Sequence, residues 1–590
     1  MQKLELPMVE GKSMANLISG AQMLVECLVK EGVDCMFGYP GGVTLPFYDV
    51  LYEHQIRHVL VRHEENAAFA AEGWARSTGK VGVCCATSGP GATNLVTGLV
   101  NALMDSIPVV AITGQVSTKL IGSDAFQEAD TFGITRSATK HNYLVKRLED
   151  LTQTVHEAFY VAASGRPGPV LVDIPKDVFQ AQGHYLPVTS VHLPGYKVFT
   201  EGHTGQIRRA AQMIEEAERP LVYAGGGIIA AEASGLLREF VELTDTPAVV
   251  TLMGLGALAS NHPNFISMPG MHGSYAANMA LQSCDLIVAL GVRFDDRVTG
   301  RLAAFAPHAK VIHVDIDPAE IGKNRVPDVP IVGDVNRVLT RLNKMLGETP
   351  NKHTEKVGAA RRAWWKQIRD WKRQHPLEPV FSSSEIKPQH LMAEIDRLSG
   401  GEAIVASDVG QHQMWAAQLI RFNHPRLWIN SGGLGSMGFG LPAAMGAQFA
   451  NPGKLVFALV GDGGFQMSIP ELATISGNGL PVKIIVMNNG YLGMVRQWQT
   501  MFYNNRLSGV ELDCFPDVEK LAGAYGFKGR VVEQPSQLAS ALEAAVREPG
   551  PYLLNVKVAA TESVYPMVAA GAAIHEMVLG PPQPVPVPAR

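Results

Sequence analysis

GDGGFQMSIPELATISGNGLPVKIIVMNN occupies residues 461–489. The apolar run LVFALV leads into it, and VKIIVM stands inside it just ahead of two asparagines. Unbroken apolar runs of strand length are expected in strands buried on both faces of a parallel sheet. The C-terminal ends of such strands border the crevice where these sheets take their ligands. Gly461, Gly463 and Gly464 permit close backbone approach and leave amides free for an anion, which Asp462 would repel unless a cation lay between them. Asp462 and the second asparagine, Asn489, 27 positions later (462 to 489), offer the hard oxygen donors that suit Mg2+ carrying a diphosphate.

Outward from this stretch, the pattern of strand, Gly/Pro turn and amphipathic helix recurs three times, which predicts an α/β protein of three doubly wound parallel-sheet domains. VDCMFGYPGG, VGVCCATSG, PVVAITGQ and PGPVLVDIPKDV mark the first, expected over residues 1–190. RPLVYAGGGII, TPAVVTLMGLG, CDLIVALGVRFDDRVTG and AKVIHVDIDPAEIG mark the second, over 191–345. AIVASDVGQHQMW, LVFALVGDGGFQM, VKIIVMNNG and PYLLNVKV mark the third, over 389–575. Residues 346–388, with the basic segment RRAWWKQIRDWKRQ, read as a connector whose helix packs through Trp364, Trp365 and Trp371. The end, 576–590, reads as a Pro-rich tail.

The bulk properties agree with a three-domain chain. At 590 residues it exceeds one core, and one domain per roughly 150–200 residues gives about three. No apolar run reaches the roughly 18 residues of a membrane span. The net charge of −5 argues against nucleic acid as a partner. The opening MQKLELPMVEGKSMANLISG has neither an apolar signal core nor an Arg-rich amphipathic pattern, so a cytoplasmic location is expected. Six cysteines without a CxxC pair read as buried reduced thiols that bind no metal.

GDG followed by NN, each closing a buried strand, resembles the cofactor motif of thiamine diphosphate enzymes. That resemblance implies Mg2+ held by Asp462, Asn489 and the backbone carbonyl of Tyr491, with Gly463 and Gly464 beside the diphosphate. RHEENAAFAAEGWAR (62–76) supplies the family's second feature: the matching Glu64 would bond the pyrimidine ring nitrogen. A carboxylate buried there is expected to hold its proton more tightly. GYPGG (38–42), TSGPGATN (87–94), GQV with IGSDAFQEAD (121–130), SGRPGPVLVDIPKDV (164–178), PGMHG (269–273), GVRFDDRVTG (291–300), DVGQHQMW (408–415), SGGLGSMGFGLPAA (431–444) and GMVRQWQ (493–499) extend the likeness along the chain. Together they resemble the catalytic subunits of the acetohydroxyacid synthase (acetolactate synthase) family over nearly the full length.

The resemblance implies further roles residue by residue. Gln411 and His412 would meet the diphosphate, and Met437 would hold the cofactor bent. The first domain would bind the pyrimidine, the third the diphosphate and the second FAD with no net redox task. FAD would lie against Gly225, Gly226 and Gly227, Met271 and His272, and Arg293 and Asp295, with Asp315 and Asp334 towards its adenosine end. Gln127, Met494 and Trp498 would position the second substrate, with Gly41 of GYPGG a further catalytic position. The implied reaction decarboxylates pyruvate and joins the two-carbon unit to a second 2-oxoacid, pyruvate or 2-oxobutyrate. Arg297 and Trp498 favour this biosynthetic enzyme over its catabolic relative, because one extra methylene against an aromatic face adds about 1 kcal/mol or more of discrimination. A homodimer or homotetramer is implied, with Glu64 and the Mg2+ site supplied by different subunits, together with a separate small regulatory subunit. The same cofactor motifs leave pyruvate oxidase, simple decarboxylase and a noncatalytic paralogue as rival readings. The chain departs from the family at HEENA (usually HEQGA), at Val43 and at Ser117, so Glu65 and Asn66 fall beside Glu64.

Overall fold

The computed structural model describes residues 17–348 and 354–581. Residues 1–16 of the opening segment, 349–353 of the expected connector and 582–590 of the expected tail lie outside the described residues.

Among the described residues, three parallel sheets carry the molecule, accompanied by two small two-stranded antiparallel pairs. The first runs Arg57–Leu60, Cys35–Gly38, Gly82–Ala86, Val109–Gln115, Val170–Pro175, His141–Leu144. The third runs Trp428–Asn430, Ile404–Ser407, Val456–Gly461, Lys483–Asn488, Tyr552–Lys557, Lys528–Val532. Numbered by sequence within each sheet, both have the order 2-1-3-4-6-5, and the five-stranded central sheet has the order 2-1-3-4-5. Each order reverses direction between strands 1 and 3, and at such a switch point the loops diverge and open a crevice at the strands' C-terminal ends. The runs that announce the central strands of these sheets are those whose every residue is buried, such as Gly82–Ala86 and Lys483–Asn488. The edge strands His141–Leu144, Val329–Val332, Trp428–Asn430 and Lys528–Val532 went unpredicted; most are half-wetted, and none carries a long apolar run.

Helices Glu64–Thr78 and Gly440–Ala450 lock the first and third sheets together. Gly440–Ala450 is buried on nearly every face, and a helix so enclosed needs small residues wherever another backbone crosses it. A Cβ on Gly73 would stand 2.0 Å from the Ala443 carbonyl oxygen, and one on Gly446 1.9 Å from that of Ala70. The connector is more than a link: its helix Glu355–Gln374 docks on the central domain, where buried Trp364 donates to the Pro220 carbonyl (3.1 Å) and Arg361 donates to the Ala217 carbonyl (3.0 Å). Among the described residues no helix is long and apolar enough to cross a membrane. Five cysteines are buried and free, and burial pushes the Cys27, Cys35 and Cys85 thiols up to about 12; Cys514, against expectation, is exposed.

The interhelical contact predicts that Gly446→Ala, which drives a methyl into backbone that cannot move aside, costs about 1–3 kcal/mol and lowers the thermal midpoint by several degrees. Unchanged calorimetric unfolding would contradict this account of the contact.

Candidate functional site

The parallel register of the third sheet brings three strand ends to one rim. Ile404–Ser407, Val456–Gly461 and Lys483–Asn488 lie side by side, so Gln411 and His412, Asp462, and Asn489 meet there. Asp462 is buried; its Oδ1 accepts from the Gly463 amide (3.0 Å) and its Oδ2 from the Gly490 amide (2.8 Å). Burial pushes its carboxyl up to about 6 against the pull of these amides. Asn489 Oδ1 accepts from the Tyr491 amide (3.0 Å), while its Nδ2 donates to Gln411 Oε1 (3.3 Å). Gln411 in turn donates to Gln497 Oε1 (2.8 Å), fixing its amide plane. His412 is buried with Nε2 unpartnered, and burial lowers its pKa to about 4, so the ring is neutral. A buried, unpaired ring nitrogen in a cavity wall is a position for a ligand atom.

Glycine makes the rest of this rim possible. A Cβ on Gly464 would lie 2.8 Å from the Asp408 carboxyl, and one on Gly463 3.3 Å from Met437 Cε. Met437 therefore stands over the turn that carries Asp462. Met494 and Trp498, one helical turn apart on Gly493–Phe502, share a face towards the same space. Trp498 is half-buried and meets Phe502 edge-on at 5.4 Å.

The central sheet builds the cavity's other end. Gly225 donates to the Leu290 carbonyl (3.0 Å) and Gly227 to that of Gly291 (3.2 Å), so the turns after strands 1 and 3 touch backbone to backbone. A Cβ on Gly225 would lie 2.3 Å from the Gly291 oxygen. His272 resembles His412: buried, lowered to about 4, with Nε2 unpartnered. Asp315 is pushed up to about 6 by burial, and burial raises Asp295 as well. Asp295 and Asp334 also cap helices, accepting from the amides of Arg297 (3.1 Å) and Asn336 (2.8 Å). Arg293 donates to the Met104 carbonyl (2.5 Å), tying this rim to the first domain. The Gly225–Gly227 turn, Met271, His272, Arg293, Asp295, Asp315 and Asp334 line one continuous cavity of about 1370 Å3 that also reaches Asp462, Asn489, Tyr491 and Trp498. That volume exceeds the roughly 300–1,000 Å3 of an ordinary single-ligand pocket.

Glu64, Gly41 and Gln127 do not line this cavity. They gather instead at the switch point of the first sheet, around TSGPGATN. Glu64 is half-buried rather than buried, and its Oε2 accepts from Asn94 Nδ2 (3.0 Å). A Cβ on Gly41 would strike Thr87 Oγ1 at 2.4 Å, and one on Gly89 the Gln127 carbonyl oxygen at 2.8 Å. Gln127 itself takes a positive φ of 60°. HEENA also has a structural answer: buried Asn66 donates to Glu471 Oε1 (3.0 Å), which also accepts from the Arg62 amide (2.8 Å). Glu65 is half-buried, and burial raises its pKa. Asn94, Asp408 and Glu471 went unassigned in the sequence; an acid directly after AIVAS was the readable sign for Asp408.

Three segments match thiamine pyrophosphate enzymes: residues 18–134 the N-terminal TPP binding domain, 207–342 the central domain and 408–556 the C-terminal TPP binding domain. The chain is 52% identical to the acetolactate synthase large subunit of Mycobacterium tuberculosis over 568 residues, 95% of this chain and 91% of that one. The chain belongs to the acetolactate synthase large-subunit family. Acetolactate synthase isozyme 3 large subunit of Escherichia coli is 48% identical over 95% of this chain and 98% of its own length. The acetolactate synthase large subunit of Porphyra purpurea is 47% identical, with 95% of both chains covered. Within this family the chain is a thiamine diphosphate enzyme, and the C-terminal match begins at Asp408 and spans Asp462 and Asn489.

Gly464→Ala, which forces the Asp408 carboxyl aside beneath the turn, is expected to weaken thiamine diphosphate binding at least about tenfold, or roughly 1.4 kcal/mol. Calorimetric titration in the presence of Mg2+ checks this, and wild-type affinity would contradict it.

Proposed function

We propose that the chain catalyses the acetolactate synthase reaction. It would decarboxylate pyruvate and ligate the two-carbon unit to pyruvate or 2-oxobutyrate, giving 2-acetolactate or 2-aceto-2-hydroxybutyrate for valine, leucine and isoleucine biosynthesis. The observation that carries this reading is the convergence of Asp462, Asn489, Gln411 and His412 with Met494 and Trp498 on one cavity. When bound, thiamine diphosphate supplies the electron sink for loss of carbon dioxide.

The side chains fit that cofactor. Asp462, the amide oxygen of Asn489 and the carbonyl of Tyr491 form an all-oxygen donor set that would hold Mg2+. Gln411, unpaired His412 and the close-approach glycines Gly463 and Gly464 would receive the diphosphate, and Met437 would pack against the cofactor. Glu64 would hold a proton at the pyrimidine nitrogen, oriented by Asn94. Gln127 and Gly41 would flank the substrate, and the Met494–Trp498 face would pack on the longer side chain of 2-oxobutyrate. Exclusion of water by these apolar groups favours ligation over protonation, which would release acetaldehyde.

FAD is the proposed occupant of the cavity's central-domain end. Its support is the backbone contact at Gly225–Gly227, the unpaired Nε2 of His272 and a volume that admits a second large cofactor. Met271, Arg293 and Asp295 would lie along it, and Asp315 and Asp334 near its adenosine. The same reading divides the chain at about 190, 345, 388 and 575 and sets the protein in the cytoplasm.

Glu64, Gly41 and Gln127 lie apart from their own chain's cavity, which supports a homodimer or homotetramer in which they complete the cavity of another copy. Phe126, 89% exposed beside Gln127, suits such a contact. A small regulatory subunit is proposed from the relatives' designation as large subunits.

The deciding experiment is mass-spectrometric product analysis of the purified chain with thiamine diphosphate, Mg2+ and FAD, offered pyruvate and 2-oxobutyrate together. 2-Aceto-2-hydroxybutyrate is expected as the main product; acetate formed with oxygen uptake would mean an oxidase, and acetaldehyde a simple decarboxylase. Trp498→Leu should lower the preference for 2-oxobutyrate about fivefold or more, in line with roughly 1 kcal/mol of aromatic packing. Glu64→Gln should lose at least about 99% of turnover, roughly 2.7 kcal/mol of barrier, while binding the cofactor; near-normal turnover would overturn its role.

A further inference from the structure

We propose that Asp105 is a positioning residue: from the first domain, it fastens the segment of the third domain that carries Met437. The proposal rests on the acetolactate synthase reading for its effect on turnover, but not for the fastening itself.

Residues 431–439, SGGLGSMGF, join strand Trp428–Asn430 to helix Gly440–Ala450 without regular structure. Gly435 and Gly438 sit at φ 76° and 85°. With no ladder or helix to hold it, such a chain is ordered by whatever accepts its amides. Asp105 accepts two of them, Gly432 N on Oδ2 (3.0 Å) and Gly433 N on Oδ1 (2.7 Å). Ser431 Oγ accepts the Gly435 and Ser436 amides, each at 2.9 Å, and itself donates to Asn101 Oδ1 (2.5 Å). At the far end Asp408 accepts from Gly438 (3.0 Å to Oδ2) and Gly440 (3.3 Å). Met437 therefore lies between a clamp from its own domain and one from another.

The second clamp is itself tightly determined. The Asp105 side chain is fully buried, and its Oδ2 also meets Arg76 Nη2 at 2.8 Å. Arg76 pairs with Glu72 (2.7 Å), and Asn101 Nδ2 donates to both Glu72 oxygens (2.9 and 3.0 Å). The Arg76 guanidinium also lies 5.3 Å from the centre of the Phe439 ring, at the end of the same segment. Removing one member of such a buried ionic group leaves the others uncompensated, so the geometry is strongly enforced. Gly433 admits the carboxylate: a Cβ there would lie 2.8 Å from Asp105 Oδ1. A purely structural triad would close on itself through Arg76; this one spends an Asp105 oxygen on each of two successive loop amides. Charge-assisted bonds of this kind are short and directional, and thus suited to fixing where Met437 stands.

The test uses the full chain with Asp105→Asn and the milder Ser431→Ala. In hydrogen–deuterium exchange without cofactor, the amides of 431–438 should exchange at least about tenfold faster in Asp105→Asn, while strand Val456–Gly461 keeps its wild-type rate. With thiamine diphosphate, Mg2+ and FAD bound, kcat should fall about tenfold or more with KM for pyruvate within about twofold, the pattern of a lost transition-state alignment. Ser431→Ala should shift both quantities in the same direction by less. Unchanged exchange at 431–438, equal acceleration in the strand, or faster exchange with wild-type kcat would each overturn the proposal. If the wild-type chain itself forms no product, the activity reading falls, and the exchange result alone decides the clamp.

Discussion

The structure depends on one close contact, the crossing of helices Glu64–Thr78 and Gly440–Ala450. Each offers a glycine to the other's carbonyl, Gly73 to Ala443 and Gly446 to Ala70, at distances where no side chain could intervene. Packing at this range gives many dispersion contacts per residue and leaves the two backbones little freedom to slide. Two of the proposed site groups stand at the ends of the pair. Glu64 begins one helix, and the Met437 segment runs directly into the other. A slip of either helix would move both groups.

The three sheets then solve one problem three times. Each reverses its winding between strands 1 and 3, and each sets its polar and glycine-rich turns at that reversal: Gly41 with Thr87, Gly225 with Gly291, and Gln411 with Asp462. The second and third crevices merge into one cavity, while the first faces elsewhere. The asymmetry follows from how the domains are joined. Arg293 and Arg166 tie the first domain to the central one, the latter through Glu320 at 2.6 Å, and the helix crossing ties it to the third. With those attachments made, the rim that carries Glu64 stays apart from that cavity.

Much of this was legible in the sequence, for a physical reason. A strand buried on both faces must be apolar throughout, so LVFALV and VKIIVM declared both strand and sheet type, and the ligand rim followed from where they stop. Edge strands such as Lys528–Val532 were silent because one side is wet and the apolar requirement lapses. The glycines and Asp462 were legible because their motif is local. Asp105 and Glu471 were not, since their roles lie in partners hundreds of positions away, such as Gly432 for Asp105 and Arg62 for Glu471. The helix in the expected connector was foreseen, but not that Trp364 would reach the central sheet through the Pro220 carbonyl.

Two aspartates of the third sheet separate structure from chemistry. Asp408 and Asp462 close adjacent strands, both are buried, and burial pushes both up to about 6. Proton affinity therefore does not distinguish them. Their lone pairs do. Asp408 is surrounded: Oδ1 accepts from Val409 (2.6 Å) and Gly438 (3.1 Å), and Oδ2 from Gly438 (3.0 Å) and Gly440 (3.3 Å). Asp462 takes one amide on each oxygen, Gly463 and Gly490, and each carboxylate oxygen has two lone pairs. One pair on each oxygen thus remains beside Asn489 and the cavity. The three amides on Asp408 tie Val409, Gly438 and Gly440 together, whereas Asp462, raised by burial and next to further oxygen donors, would gain from a cation. The same accounting that makes Asp408 a clamp leaves Asp462 with oxygens still open towards the cavity.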